Sequence, residues 1–273
     1  MLPLLVIGLG AALIIGWLIG EPFYRLHRRR RILERPFPDA WRRILRERVP
    51  LFRHMPADLQ LQLKRHMQVF LAEKTFVGCE GIVVTDDMRV TIAAQACLLI
   101  LNRPTDYYPT LREILIYPSA FVVERTETDF AGVAHRQRRI LSGESWSRGQ
   151  VILSWRDTLD GAAVPDDGHN VVIHEFAHQL DMEKGFANGA PFLAQWDHYA
   201  RWAKAFNREF DTLRSHLEQS HPTLLHPYAA TNPAEFFAVA SEAFFEKPRL
   251  LADDAPDLYR ELQGYYRVDP LTW

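Results

Sequence analysis

Cysteine is scarce in this sequence, which has only Cys79 and Cys97 among its 273 residues. Two cysteines are too few for a disulfide framework, although they allow a single bridge. A reducing compartment is therefore favoured. The composition, 48% hydrophobic and 24% charged, excludes a disordered tail and is typical of a globular chain with a substantial core.

Charge is absent from the first twenty residues, MLPLLVIGLGAALIIGWLIG. A run of this length is sufficient to cross the roughly 30 Å hydrocarbon layer of a bilayer as a helix. No Lys or Arg precedes the run, and Glu21-Pro22-Phe23 follows it, which is atypical of a cleaved signal peptide. The sequence therefore predicts an uncleaved transmembrane anchor at residues 1–20, through which the protein binds a membrane.

Six arginines follow this run in the stretch RLHRRRRILER, among them Arg25, Arg28, Arg29, Arg30 and Arg31, and no Lys or Arg precedes the run. The positive-inside rule places such a flank in the cytoplasm. Residues 21–36 are accordingly interpreted as a basic juxtamembrane linker, and the protein as a single-pass protein of the inner (cytoplasmic) membrane with its main domain facing the cytoplasm. Attraction to anionic headgroups explains the arginines. Nothing downstream resembles a nucleic-acid-binding platform, so direct nucleic-acid binding is not predicted.

The remainder of the chain shows no repeat, and helical and strand-like patterns are mixed along it. Apolar residues recur near helical spacing, while shorter β-rich runs are bounded by Gly and Pro. This mixture predicts an α+β domain over residues 37–271, with a small sheet. The predicted helices are 37–49, 57–74, 88–102, the segment VVIHEFAHQLD and the segment after Asn232; the predicted strands are TFVGCEGIVVT, the two halves of REILIYPSAFVV and GQVILSWRD.

The stretch VVIHEFAHQLD places His174 and His178 four residues apart, with Glu175 beside the first. On a helix, residues at this spacing leave the same face about 5–6 Å apart, as two ligands of one metal ion require. In such an H-E-x-x-H arrangement the ion acidifies a water molecule and the glutamate accepts its proton. The alternative is an ordinary core helix. The apolar neighbours favour a metal, because buried imidazoles and a carboxylate need partners.

A catalytic zinc site needs a third protein ligand. The metzincin continuation is not present, because Asp181 stands where that motif has glycine and Lys184 where it has its third histidine. Downstream, Asn232 and Pro233 are typical of the start of a helix, and Glu235 lies in its first turn. Glu235 is either a capping-box carboxylate or the third ligand.

Two further acidic residues have open roles at this stage. Glu242 lies seven residues after Glu235 and on the same helix face. It is either a hydrogen-bond partner of a ligand histidine or a solvated side chain. Asp181, three residues after His178, has the same two interpretations: an acceptor behind the metal ligands or an exposed aspartate at a helix end.

Four segments together closely resemble the Mlc titration factor A family of zinc-dependent peptidases. They are HEFAHQLD, PYAATNPAEFFAVASEAFFEKP, ILIYPSAFVV and YYRVDPL. The resemblance covers roughly residues 37–271. It implies a gluzincin-like, zincin-type metallopeptidase fold related to the catalytic domain of anthrax lethal factor.

The resemblance also assigns roles to individual residues. It implies one Zn²⁺ per chain, held by His174, His178 and Glu235. It further implies that Glu175 is the general base and that Tyr228 donates a hydrogen bond to the oxyanion of the reaction.

Two functions of different class follow from these observations. The first is a membrane-anchored zinc metallopeptidase that hydrolyses peptide or protein substrates in an aminopeptidase-like manner. The second is a regulatory protein that binds and sequesters a transcriptional repressor, as Mlc is sequestered in this family, with zinc mainly structural. Glu175 and Tyr228 favour the first function, since a structural zinc site needs neither a base nor an oxyanion donor.

Overall fold

Helices predominate in this protein. The computed structural model describes residues 2–128, 134–141, 143–146, 149–193 and 195–273. The α-helices are α1 Leu2–Leu33, α2 Asp39–Arg48, α3 Leu51–His54, α4 Ala57–Glu73, α5 Asp86–Leu98, α6 Trp155–Ala163, α7 Val171–Asp181, α8 Trp196–Glu218, α9 Pro233–Glu246, α10 Pro248–Asp254 and α11 Pro256–Tyr266, with short 3₁₀ turns at Met182–Lys184, Pro227–Ala230 and Pro270–Thr272.

The strands form a small sheet and a separate hairpin. Their bounds are β1 Thr75–Gly78, β2 Glu113–Tyr117, β3 Phe121–Thr128, β4 Ala134–Leu141, β5 Gly143–Trp146 and β6 Gln150–Ser154. The sheet has the order β1-β2-β6-β5, in which β1, β2 and β6 are parallel and β5 runs antiparallel to β6. Strands β3 and β4 pair with each other along their length.

The prediction of an α+β domain is therefore wrong in its class. The described chain is mostly helical, and the three parallel strands form a small sheet between helices. Parallel neighbours cannot be joined by a tight hairpin and need a crossover. Helix α5 supplies this crossover between β1 and β2.

The prediction of a transmembrane anchor at residues 1–20 is also wrong. No helix in the described part of the chain is both long and apolar enough to cross a membrane. The apolar run is not a separate element, because α1 continues through Glu21, Pro22 and the arginines to Leu33. The inner-membrane location and the membrane binding that were predicted from this run are therefore not supported by the structure.

The arginines that follow the apolar run make contacts within the protein. Arg29 donates to both oxygens of Glu73 on α4, at 2.7 and 2.8 Å, and to Asp106 at 2.7 Å. Arg25 donates to the other oxygen of Asp106, also at 2.7 Å. The side chain of Arg29 is only 13% exposed, so this part of α1 is held against the folded chain by charge-assisted bonds. The division of the chain at residues 20 and 36 stays a prediction.

The elements that the sequence predicted are present, several of them with different bounds. The structure confirms helices α2, α4, α5, α7 and α9 and strands β1, β2, β3 and β6. The start of α9 is as predicted, with Asn232 as its cap and Pro233 as its first residue. Both cysteines are free thiols.

Helix α9 lies at the centre of the fold. Its phenylalanines are almost fully buried, at 0–1% exposure, and it packs directly against α7. Trp202 of α8 stacks on Phe206 at 4.0 Å and lies 5.8 Å from the ring of Phe237. Two turns further along α9, Tyr266 of α11 stacks on Phe244 at 5.4 Å. Aromatic contacts with α8 and α11 therefore help to fix the position of α9.

Candidate metal centre

Helix α7 carries the two histidines and is fixed at its start by a cap. The side-chain oxygen of Asn170 accepts a hydrogen bond from the Ile173 N–H at 3.0 Å. Phe176 lies on the opposite side of the helix, fully buried, with its ring 4.9 Å from that of Tyr108. The apolar side of α7 is thus anchored in the core, and His174 and His178 emerge from the other side.

Helix α9 carries Glu235 in its first turn. The Asn232 side chain accepts from the Glu235 N–H at 3.0 Å, so the cap is an asparagine interaction with the backbone of Glu235. The carboxylate of Glu235 lies beside the histidines. Its Oε2 is 3.0 Å from Nε2 of His174 and 3.3 Å from Nε2 of His178.

These three side chains form a cluster with the donor set of a metal site. One potential ligand atom from each of His174, His178 and Glu235 lies within 4.8 Å of the other two. The cluster joins residues that are 61 positions apart in the chain. Two imidazoles and one carboxylate with room for a further ligand are the donors typical of a catalytic zinc site.

The charges of the cluster indicate that a cation belongs there. Burial acts to lower the pKa of His174, but its bonds with Glu235 and Glu242 outweigh this and hold the pKa well above its usual value. Burial likewise acts to raise the pKa of Glu235, but the two histidines outweigh it and hold the pKa well below its usual range. The site therefore stabilises positive charge between these groups, and a divalent ion held by them would supply that charge in place of the proton.

Glu242 contacts His174 on the side of the ring that faces away from Glu235. Its Oε1 lies 2.7 Å from Nδ1 of His174, and its Oε2 accepts from the Asn170 N–H at 2.5 Å. Glu242 is 5% exposed, which excludes the solvated alternative. A carboxylate at Nδ1 fixes the ring so that Nε2 faces the cluster, as the outer partners of metal-bound histidines do.

Glu175 is buried at 5% exposure and lies beside strand β5. A Cβ added to Gly143 would lie 2.6 Å from Glu175 Oε1 and 2.6 Å from a methyl of Val171. The glycine therefore leaves the space in which the Glu175 carboxylate lies. Glu175 and Tyr228 both line a cavity of about 830 Å³ that also includes His174.

Tyr228 lies in the 3₁₀ turn Pro227–Ala230, before α9. Its ring centroid is 6.2 Å from that of His174, and the residue is 42% exposed. The Nδ1 of His226 accepts from the Tyr228 N–H at 3.2 Å and holds the turn. The five residues to which the family resemblance assigns roles therefore lie close together in the structure: His174, Glu175, His178, Tyr228 and Glu235.

Asp181 has a role that neither sequence interpretation predicted. It is buried, and its Oδ2 accepts from the Gly189 N–H at 2.7 Å. Gly189 has φ +78°, and a Cβ there would lie 2.3 Å from the carbonyl oxygen of Pro233. Asp181 therefore secures the loop that lies against the start of α9, and so links the end of α7 to the helix that carries Glu235.

Sequence reasoning did not select Asn170, Gly143 or Glu246. Asn170 had a usable signal, since an asparagine directly before an apolar helix is a typical N-cap. Gly143 had none, because its role depends on which side chain lies opposite. Glu246 is buried at 5% exposure and bonded to Asn170, which only the packing of α9 against α7 decides.

Comparison with known sequences agrees with this geometry. Residues 23–267 match the family described as "Glucose-regulated metallo-peptidase M90". The chain belongs to this family. Membership makes it a metallopeptidase-type protein and confirms the resemblance to Mlc titration factor A that its motifs indicated.

Several known proteins match this chain over most of their length. An uncharacterized protein of Synechocystis sp. is 42% identical over 259 residues, 94% of each chain. Mlc titration factor A of Yersinia enterocolitica is 35% identical over 235 residues, 85% of this chain and 86% of that protein. Mlc titration factor A of Salmonella arizonae is 36% identical over 225 residues, 81% of this chain and 88% of that protein. The family match over residues 23–267 includes all three residues of the candidate metal centre.

Proposed function

We propose that this protein is a zinc-dependent peptidase of the aminopeptidase type. The observation that carries the proposal is the convergence of His174, His178 and Glu235 on one point, beside a cavity lined by Glu175 and Tyr228. Zinc suits this donor set, since catalytic zinc sites use three such ligands and keep a position open. Bound there, the ion supplies a Lewis acid that acidifies water and polarises the carbonyl of the substrate.

Glu175 acts as the general base in this proposal. It is adjacent to His174 on α7, and its buried carboxylate has a position set by Gly143 and Val171. From this position it accepts a proton from the attacking water and passes it to the leaving amine. Glu242 keeps the ring of His174 oriented while the charge at the site changes.

Tyr228 supplies a hydrogen bond to the oxyanion that develops on the substrate carbonyl. Its hydroxyl is carried by a turn on the rim of the cavity, on the side of His174. Such a bond is stronger in the transition state than in the ground state, and so it accelerates the reaction.

The charge of the cavity supports a substrate with a free amino terminus. Besides Glu175 and Glu242, its lining includes the carboxylates of Asp157, Asp160 and Asp167, and no Lys or Arg is among the described lining residues. A cavity of one charge sign concentrates ligands of the opposite sign. The ammonium group of a peptide amino terminus fits that requirement, and an uncharged, acetylated end does not.

A pair of matched peptides tests the proposal. The zinc-loaded protein is expected to cleave a short peptide with a free amino terminus at least ~10-fold faster, in kcat/KM, than its N-acetylated form, since a lost charge pairing costs about 1.4 kcal/mol or more. Asp160→Asn should raise KM for the free peptide and leave the acetylated one unchanged. If both peptides are cleaved at the same rate, the protein is not of the aminopeptidase type. If neither peptide is cleaved, the proposal of a peptidase is contradicted.

Tyr228→Phe tests the oxyanion donor. The substitution removes one hydroxyl and leaves the ring, so kcat should fall by roughly 10²–10³-fold with a small change in KM and no loss of zinc. Steady-state kinetics with metal analysis measure this. A matched control is Tyr199→Phe, on α8 outside the cavity lining. A kcat equal to that of the parent protein would show that Tyr228 donates to no reacting atom.

The second candidate function is a regulatory protein that binds a transcriptional repressor. The name Mlc titration factor A, carried by relatives 34–36% identical to this chain, favours it. In that case zinc is mainly structural, no peptide is cleaved under any condition, and repressor binding survives substitution of Glu175 or Tyr228. A pull-down with purified Mlc, carried out beside the peptide assay, distinguishes the two functions.

A further inference from the structure

We propose that Glu246, in its neutral form, is a positioning residue of the metal centre. It acts on the ring of His174 through Asn170 and Glu242. The inference rests on the metal centre of the proposed function, and it deepens that function by adding a pH-sensitive support behind the histidine.

A continuous chain of hydrogen bonds carries the proposal. The Asn170 side-chain N–H₂ donates to Glu246 Oε1 at 2.9 Å, and the Asn170 backbone N–H donates to Glu242 Oε2 at 2.5 Å. Glu242 Oε1 in turn lies 2.7 Å from Nδ1 of His174. Asn170 also caps α7 through its oxygen, so one asparagine sets both the start of the histidine helix and the carboxylate behind it.

The two glutamates lie one turn apart on α9 and are both buried at 5% exposure. Two negative charges one helical turn apart in a poorly hydrated interior repel each other strongly. Glu242 has two hydrogen-bond partners, the Asn170 N–H and Nδ1 of His174. Glu246 accepts from the Asn170 side chain at Oε1, and its Oε2 has no hydrogen-bond partner of ordinary geometry among the described residues. Burial of a carboxyl group that lacks a donor at one oxygen costs much less free energy when the group is protonated than when it is ionised.

Burial raises the pKa of Glu246 to about 8. The charges of Glu242 and Asp167 add to this increase, while the hydrogen bonds from the Asn170 side chain and the Gly168 backbone oppose it. Asp167 comes from the loop before α7, and the ammonium of Lys247 lies beside Gly168 in the same loop. Near neutral pH the Glu246 carboxyl therefore accepts from Asn170 without adding a second negative charge beside Glu242.

Ionisation of Glu246 should weaken the metal centre. Above about pH 8 its new charge repels Glu242 and draws Asn170 toward itself, which disturbs the orientation of His174. The effect on folding has a defined sign. Because the folded pKa is raised, the stabilisation is complete below the pKa of an unfolded glutamate and is lost as the pH rises toward about 8.

Zinc affinity as a function of pH tests the proposal in the full chain. A competing chelator is used between pH 6.5 and 9.5 with the parent protein, Glu246→Gln and Glu246→Ala, and with Glu218→Gln, an exposed glutamate, as control. Glu246→Gln should match the parent at pH 7 and show a weaker loss of affinity above pH 8. Its melting temperature should exceed that of the parent at pH 8 but not at pH 4. Glu246→Ala should bind zinc roughly 10-fold more weakly at pH 7.

The proposal is overturned if Glu246→Gln follows the pH curve of the parent throughout, or if folded Glu246→Ala binds zinc like the parent. The glutamine variant keeps the test valid if the alanine variant does not fold. Zinc binding requires no peptide cleavage. If the protein cleaves no peptide but its zinc affinity depends on Glu246, the positioning role is supported and the peptidase function is contradicted. If it cleaves peptides and its zinc affinity does not depend on Glu246, the peptidase function is supported and the positioning role is contradicted.

Discussion

Glu175→Gln is expected to lower the kcat of peptide hydrolysis by roughly 10²–10⁴-fold, the range that a positioned general base contributes. Glutamine has nearly the same shape as glutamate, so it fits the space beside Gly143 and Val171 in which the carboxylate lies. The substitution removes the ability to accept a proton from water and leaves the three metal ligands in place. The loss should therefore appear in turnover, with zinc affinity and KM little changed.

Kinetics and metal analysis on the same preparation measure this result. Glu218→Gln makes the same chemical change at an exposed position on α8 and should leave both quantities unaltered. Hydrolysis at the parent rate by a fully zinc-loaded Glu175→Gln protein would exclude Glu175 as the base.

Glu235→Ala is expected to produce the largest loss of metal. Removal of a ligand should weaken zinc binding by more than about 100-fold, the upper end of what loss of an outer hydrogen-bond partner costs. The two histidines then lack the carboxylate that lies 3.0 and 3.3 Å from them, and two imidazoles alone do not complete a catalytic zinc site. Peptide hydrolysis should fall with zinc occupancy.

Asn232→Ala is the matched control for this experiment. It removes the cap of α9, which costs about 1 kcal/mol of stability, but it keeps the carboxylate of Glu235. The melting temperature should therefore fall while zinc remains bound. If Glu235→Ala keeps full zinc occupancy at low free metal and loses only stability, Glu235 is a helix-capping residue and another group completes the site.

Predictions that depended on local spacing were reliable in this chain. Helix α7 is present as predicted. Its period of 3.6 residues places His174 and His178 on one face, a relation that needs no knowledge of the rest of the fold. The cap at Asn232 is equally local. The apolar run at the N-terminus was misinterpreted, since its lack of charge did not reveal that α1 continues through the arginines, nor that Arg29 pairs with Glu73 and Asp106.

Glu242 and Glu235 show where the sequence was insufficient. Each had two interpretations because a carboxylate on a helix face has the same pattern whether it is solvated, capping or facing a histidine. The choice depends on which helix lies opposite. The packing of α9 against α7 places Glu235 and Glu242 on either side of the ring of His174. Buried aromatic residues of α8 and α11 contact α9 and stabilise this packing.

The sequence by itself determined the histidine pair, its neighbouring glutamate and the helices that carry the site, because helical periodicity and capping act over a few residues. The tertiary structure alone decided the parallel pairing of the strands, the link from Asp181 to Gly189, and the buried series Glu246–Asn170–Glu242 behind the metal centre. These features join residues that are distant in the chain. Their interactions stabilise the protein only when folding has removed water from both partners.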